Sequence, residues 1–378
     1  MEIKRKSNVE GLRAIGTTLV VLSHFMVLFY PASYWDNAVC HTKQKIEILI
    51  GSTPLGYWMN GNTGVMIFLV ITGAGAYWLS EVEKRKIVDS VINRPFKIFV
   101  PMLLSTIIIW YIIKVNGCFL DLVLQKTESI WCSGYINNFG PFINIFKDFF
   151  TYCTLYNNPL WTIKYLFVGF YLALFVCLIA SDSRKTMFAI SAIIILFILK
   201  EYYLMSAMAG IIIAQKNKYT RKNINGYTGI LVLLVAIYLG GVPTGMASKY
   251  WIYSYLPINS VFLNSDGLYV LIYHMISAAL LLWLTLNSKI LKNILNTKIF
   301  QFIGRYSMGL YFTHFAVLMS FTSFMFLNLN IESYNCKAIV TIILSLLNMM
   351  VVAIIFDYAN NKIVKSITSK IKVKTSNS

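Results

Sequence analysis

The chain has 378 residues, of which 57% are hydrophobic and 13% charged, with a formal net charge of +18 and a mean hydropathy of +0.65. A soluble domain carries about twice that charged fraction, so a soluble globule is excluded. The basic excess would suggest nucleic acid in a soluble protein, but here it lies in alternate short segments between apolar blocks, where a positive-inside bias accounts for it without a polyanionic partner.

A helix needs about 20 apolar residues to cross the hydrocarbon core. Such blocks fall near 14–30, 62–79, 98–115, 160–180, 187–199, 203–215, 227–242, 268–286, 307–327 and 338–356. The expected fold is all-α, a polytopic integral membrane helical bundle of about ten transmembrane helices. The first block follows Lys4, Arg5 and Lys6 as a signal peptide would. It lacks a small-x-small cleavage site, contains His24 and is followed by further spans, so it reads as a retained helix. The fifth and sixth blocks are short and separated by Lys200 and Glu201; they are expected as tilted spans, locally thinned ones or a re-entrant hairpin buried in protein. With the N terminus inside, segments 1–13, 80–97, 181–186, 216–222, 287–305 and 357–378 hold 24 of the 33 Lys and Arg residues. That bias places both termini in the cytoplasm. A membrane domain over 1–357 and a basic cytoplasmic tail over 358–378 follow.

The six cysteines include no Cys-x-x-Cys pair, so no metal site is expected. Cys40, Cys118, Cys132, Cys153 and Cys336 fall in segments expected outside, where disulfides are permitted, and Cys177 in a helix. The outer segments 31–61, 116–159 and 243–267 are rich in Asn, Gly, Pro, Trp and Tyr, as in Trp58-Met59-Asn60-Gly61-Asn62 and Tyr156-Asn157-Asn158-Pro159-Leu160-Trp161. They suit an interfacial aromatic belt with turn residues, or a sugar-facing surface.

Polar residues inside the apolar blocks carry more information, because each is costly on a lipid face. Glu10-Gly11-Leu12-Arg13 precedes His24. Arg13 and His24 are offset by about 20 degrees on a helix, with Glu10 on the same side, and His24 lies about 16 Å deeper than Arg13. Arg305 bounds the ninth block, and His314 lies about 13 Å further along it. An imidazole at such depth either bonds a neighbouring helix or serves as a general base for a hydroxyl. His41 is in an outer loop, and His274, in the eighth block, is placed to face the outer half of a cavity. Arg94 and Lys97 flank Pro95 before the third block, as positive-inside residues or, with Arg13 and Arg305, as a cytoplasmic cationic mouth for a phosphate-bearing donor. No P-loop and no GxGxxG pattern occurs. The glycines from Gly64 to Gly75 suit a packing seam or a thin wall beside a tunnel.

These residues resemble the type 3 family of membrane acyltransferases, which includes O-acetylases of capsules and O-antigens. The family's opening is similar to Glu10-Gly11-Leu12-Arg13 with His24, its second-span pattern to Gly64-Val65-Met66-Ile67-Phe68 through Thr72-Gly73, and its paired basic residues to Arg94 and Lys97, where lysine replaces an arginine. Its late motif is similar to Gly304-Arg305-Tyr306-Ser307-Met308-Gly309-Leu310-Tyr311-Phe312-Thr313-His314. One departure stands out: a glutamate common after Trp161 in the family is replaced by Leu166. The resemblance implies acyl transfer from a cytoplasmic acyl-coenzyme A, most simply acetyl-CoA, to a hydroxyl of a glycan or lipid-linked sugar acceptor. It implies catalytic roles for His24, Arg13, Glu10 and His314, donor binding by Arg94, Lys97, Arg305 and Tyr311, and no metal. The expected setting is a bacterial plasma membrane, among membrane lipids and without nucleic acid, as a homo-oligomer or beside glycan-assembly machinery. The rival readings are a transporter or flippase of a glycan precursor and a catalytically inactive relative.

Overall fold

The computed structural model describes residues 7–35, 38–132, 142–145, 156–219, 223–244, 252–253, 256 and 269–376, with backbone only for 269 and 371–376. Its long helices are α1 (Ser7–Phe29), α2 (Gly61–Ser80), α3 (Lys84–Lys114), α4 (Ile163–Ile179), α5 (Lys185–Ile198), α6 (Tyr202–Tyr219), α7 (Gly226–Gly240), α8 (Tyr269–Asn287), α9 (Ser307–Val317) and α10 (Tyr334–Ser376). No strand occurs among the described residues. Each expected apolar block is a helix, and among the described residues seven helical segments are long and apolar enough to cross a membrane. The protein is an all-α polytopic membrane bundle.

The chain divides into two compact units: Met1–Lys84 with Tyr165–Arg305, and Arg85–Lys164 with Tyr306–Ser378. The boundary drawn at 358 from sequence falls inside α10, which continues as helix to Ser376.

In the first unit α2 is central, packed against α1, α6 and α8. Its small residues make that possible. A Cβ added at Gly73 would lie 1.7 Å from the Ala207 carbonyl oxygen of α6, and one at Gly64 2.5 Å from the Gly16 carbonyl oxygen of α1. The glycine-rich helix is thus a packing seam on two sides, where side chains would force the backbones apart. The short pair α5 and α6 divides its labour: α6 buries Tyr202, Leu204, Met205, Ala207, Met208 and Ile211, whereas α5 exposes Met187, Ile190, Ile194, Ile195 and Ile198. Burial of the whole pair in protein is therefore ruled out for α5, whose bare apolar face suits lipid tails. Lys200 turns the chain between them in the left-handed region, φ 59°, with its N–H donating to Phe197 O and that of Glu201 to Leu196 O. This is a helix C-terminal motif usually built on glycine.

In the second unit α9 packs along α10. After Val317 the helix widens into a π turn, Leu318–Thr322, before continuing as Ser323–Asn328. The Phe119 N–H donates to the Met319 carbonyl in that turn at 2.8 Å. Helix α3 begins at Lys84, well ahead of the apolar block at 98, and runs through Pro95 and Pro101. Neither proline can donate to the carbonyl four residues back, and membrane helices tolerate that loss better than soluble ones.

Candidate functional site

In the first unit the expected catalytic residues lie along α1. Glu10 and Arg13 form an ion pair of 3.6 Å one turn apart, with Glu10 mostly shielded and Arg13 about one third exposed. His24 lies three turns further on the same face and is half-buried. The start of α1 is held tightly. Asn8 donates to Thr285 O at 2.6 Å, and Gln301 donates to Ser7 O at 2.7 Å. Gly304 packs so close that a Cβ there would lie 2.2 Å from the Glu10 carbonyl oxygen. Arg305 ends the short helix Lys298–Arg305, which packs on α1. The first and last motifs read from the sequence are therefore joined at the Glu10 and Gly304 backbones.

His274 has a different environment from the cavity expected of it. It is fully buried, and its Nε2 lies 2.7 Å from the Val242 carbonyl oxygen. A carbonyl only accepts, so Nε2 carries the proton. Asn60 donates to the same carbonyl at 3.1 Å, while its Oδ1 accepts the Thr63 N–H and caps α2. The two side chains tie α2, α7 and α8 together. Asn60, singled out in an aromatic outer loop, is thus a buried capping residue, while Trp58 beside it is exposed.

In the second unit His314 is fully buried, and its Nδ1–H donates to Tyr311 O at 2.8 Å and Leu310 O at 3.1 Å. That fixes the tautomer of the neutral ring: Nε2 bears the lone pair. Tyr311 is buried, donates to Pro159 O at 2.7 Å and accepts from the Thr162 hydroxyl. Asn157 donates to Phe312 O at 3.1 Å and Ser105 Oγ at 3.2 Å. The loop around Tyr156 and Asn157 is therefore folded onto α9 instead of standing in solvent. Arg94 is half-buried and Lys97 exposed, both inside α3 and not in the loop expected before it.

A family model described as an acyltransferase domain matches residues 6–358. The chain belongs to the type 3 acyltransferase family. No curated protein and no solved structure matches it. The match takes in Glu10, Arg13, His24, Arg94, Lys97, Arg305, Tyr311 and His314. The acyltransferase carries Leu166, half-buried on α4, where the resemblance leads one to look for a glutamate.

Sequence reasoning missed one charged cluster in this acyltransferase. Glu81, after α2, accepts from Lys185 and Lys218, and Asp182 accepts from Lys218 at 2.9 Å and from the Tyr219 hydroxyl. Lys185 is buried and lies 5.1 Å from the centre of the Tyr77 ring. The Tyr219 and Lys218 hydrogen bonds hold the Asp182 carboxyl down at about 2. Burial pushes Glu81 up, but the two lysines outweigh it and leave it below its usual value. The available signal was charge alternation across three segments far apart in sequence, which fixes no pairing.

Proposed function

We propose that this acyltransferase moves an acetyl group from cytoplasmic acetyl-coenzyme A to a sugar hydroxyl of a cell-surface polysaccharide or its lipid-linked precursor, in a bacterial plasma membrane with both termini in the cytoplasm. One observation carries the reading: α1 presents a formed Glu10 and Arg13 pair and a half-buried His24 on one face. A sugar hydroxyl is too weak a nucleophile to attack a thioester unaided. A neutral imidazole at His24 takes the proton as the new C–O bond forms. The tetrahedral intermediate then expels the coenzyme A thiolate, which recovers that proton as the free thiol. In the covalent variant the imidazole attacks first, and the hydroxyl captures the acyl-imidazole.

Arg13, Arg94, Lys97 and Arg305 are the proposed partners of the donor's phosphates, with Glu10 orienting Arg13. His314, with its lone pair at Nε2, supports the acceptor by receiving a hydroxyl hydrogen bond; polarising a carbonyl would need its protonated form. Tyr311 serves the donor site by holding the 156–162 loop to α9.

Purified protein given radiolabelled acetyl-coenzyme A and candidate glycans is expected to transfer label, and His24→Ala to lose at least about 100-fold of that rate. Full transfer by the variant would remove His24 from the mechanism. Label trapped on the protein without acceptor selects the covalent route. A second reading, an inactive relative, rests on Leu166, and wild-type protein inert toward every donor and glycan tried would favour it.

A further inference from the structure

Helix α9 carries Tyr311 and His314, yet its first turn has no cap of its own. Tyr306 occupies the N-cap position and makes no side-chain hydrogen bond there. The first N–H groups of a helix have no partner within it and bear the positive end of its dipole. Here α10 brings a carboxyl group. Asp357 is 8% exposed and its carboxyl packs against this turn at Gly309. The approach depends on glycine: a Cβ at position 309 would lie 2.9 Å from Asp357 Cγ and Oδ1 and 2.6 Å from the Ala353 carbonyl oxygen. Asp357 also belongs to a stripe, with Ala353, Phe356, Asn360 and Val364, buried at helical spacing on α10. Its carboxylate is thus placed by the packing of a whole helix face.

A carboxylate in this setting is costly unless something answers its charge. Among the described residues no Lys or Arg ion pair with Asp357 is found, and the α9 N-terminus is the group that faces it. We propose that Asp357 is a positioning residue for acyl transfer, capping α9 from the neighbouring helix and so fixing the rotation and depth of Tyr311 and His314. The His314 ring is tied to its own helix through Tyr311 O. A first turn that frays or rotates therefore turns the ring with it. There is a corollary for the donor. A helix N-terminus already holding a carboxylate is not a phosphate site, which leaves the phosphates to arginine and lysine side chains.

The kinetic half of this inference rests on the acyl-transfer reading; the structural half does not. Full-length Asp357→Asn and Asp357→Ala proteins are compared with wild type by amide hydrogen exchange over Tyr306–Phe312 and by acetyl-coenzyme A kinetics. In Asp357→Ala, exchange is expected to rise about fivefold or more and kcat to fall about tenfold, with KM for acetyl-coenzyme A held within about twofold. Asp357→Asn, which keeps an acceptor, should stay within about threefold of wild type in both. Unchanged exchange in Asp357→Ala sinks the cap whatever the activity. Faster exchange with unchanged kcat overturns the positioning role, and Asp357→Asn as impaired as Asp357→Ala overturns the capping account. If Asp357→Ala does not fold, Gly309→Ala, which forces the helices apart, must show the same exchange and kcat signature, and wild-type behaviour there counts against the proposal. If even wild type fails to use acetyl-coenzyme A, the kinetic half falls with that reading, and exchange alone decides the cap.

Discussion

Asp182 ties the stability of the fold to pH. Its carboxyl sits at about 2 instead of the usual 3.8, because Tyr219 and Lys218 bond its charged form. A depressed carboxyl stabilises the fold above its unfolded value and loses that contribution as pH falls through the folded one. Thermal melts in detergent should therefore be flat above about pH 5 and drop between about pH 4 and 2, with a smaller drop in Asp182→Asn. An identical acid drop in the variant would exclude this carboxyl as its source. At the same scale, Glu10, Arg13 and His24 were legible because helical periodicity alone puts them on one face. Asp357 was not. It directly follows the apolar run ending at 356, so hydropathy made it no more than the last residue of the membrane domain, whereas burial at 353, 357, 360 and 364 reveals a helix face continuing past that limit.

Glycines that let helices touch give predictions at the level of elements. Gly73→Ala drives a methyl group into the Ala207 backbone, a strain costing about 1–3 kcal/mol that flexible side chains cannot relieve. Its melting temperature should fall well below wild type, and an unchanged value would show that α2 and α6 separate freely. The opposite sign is expected at Lys200, which pays for a left-handed φ of 59° between α5 and α6. Lys200→Gly should stabilise by about 0.5–1 kcal/mol, read as a higher melting temperature. The existence of the ten helices was legible because crossing lipid demands long apolar blocks. Their limits were less so, as α3 shows: prolines at 95 and 101 argue for a break in water, but the helix runs from Lys84 through both.

For the whole molecule, composition sufficed to establish a multi-pass bundle, since so many apolar residues in blocks leave no soluble alternative. The division into two units was not readable, because it depends on which distant helices touch, and hydropathy is silent on that. Orientation can be checked with the chain's own thiols. Burial pushes Cys118 up to about 11 and Cys132 to about 12, which makes both poor reporters at neutral pH. Cys336 is exposed at the start of α10. An impermeant maleimide should label it only from outside the cell, and labelling only from the cytoplasmic side would invert the assignment. Helix α10 also makes a ruler of the molecule. It is 43 residues long, about 64 Å and twice the hydrocarbon thickness. Spin labels at Cys336 and at a cysteine replacing Lys370 should therefore report one narrow separation near 50 Å, turning the carboxyl end into a pointer whose angle reads out the tilt of the last helix.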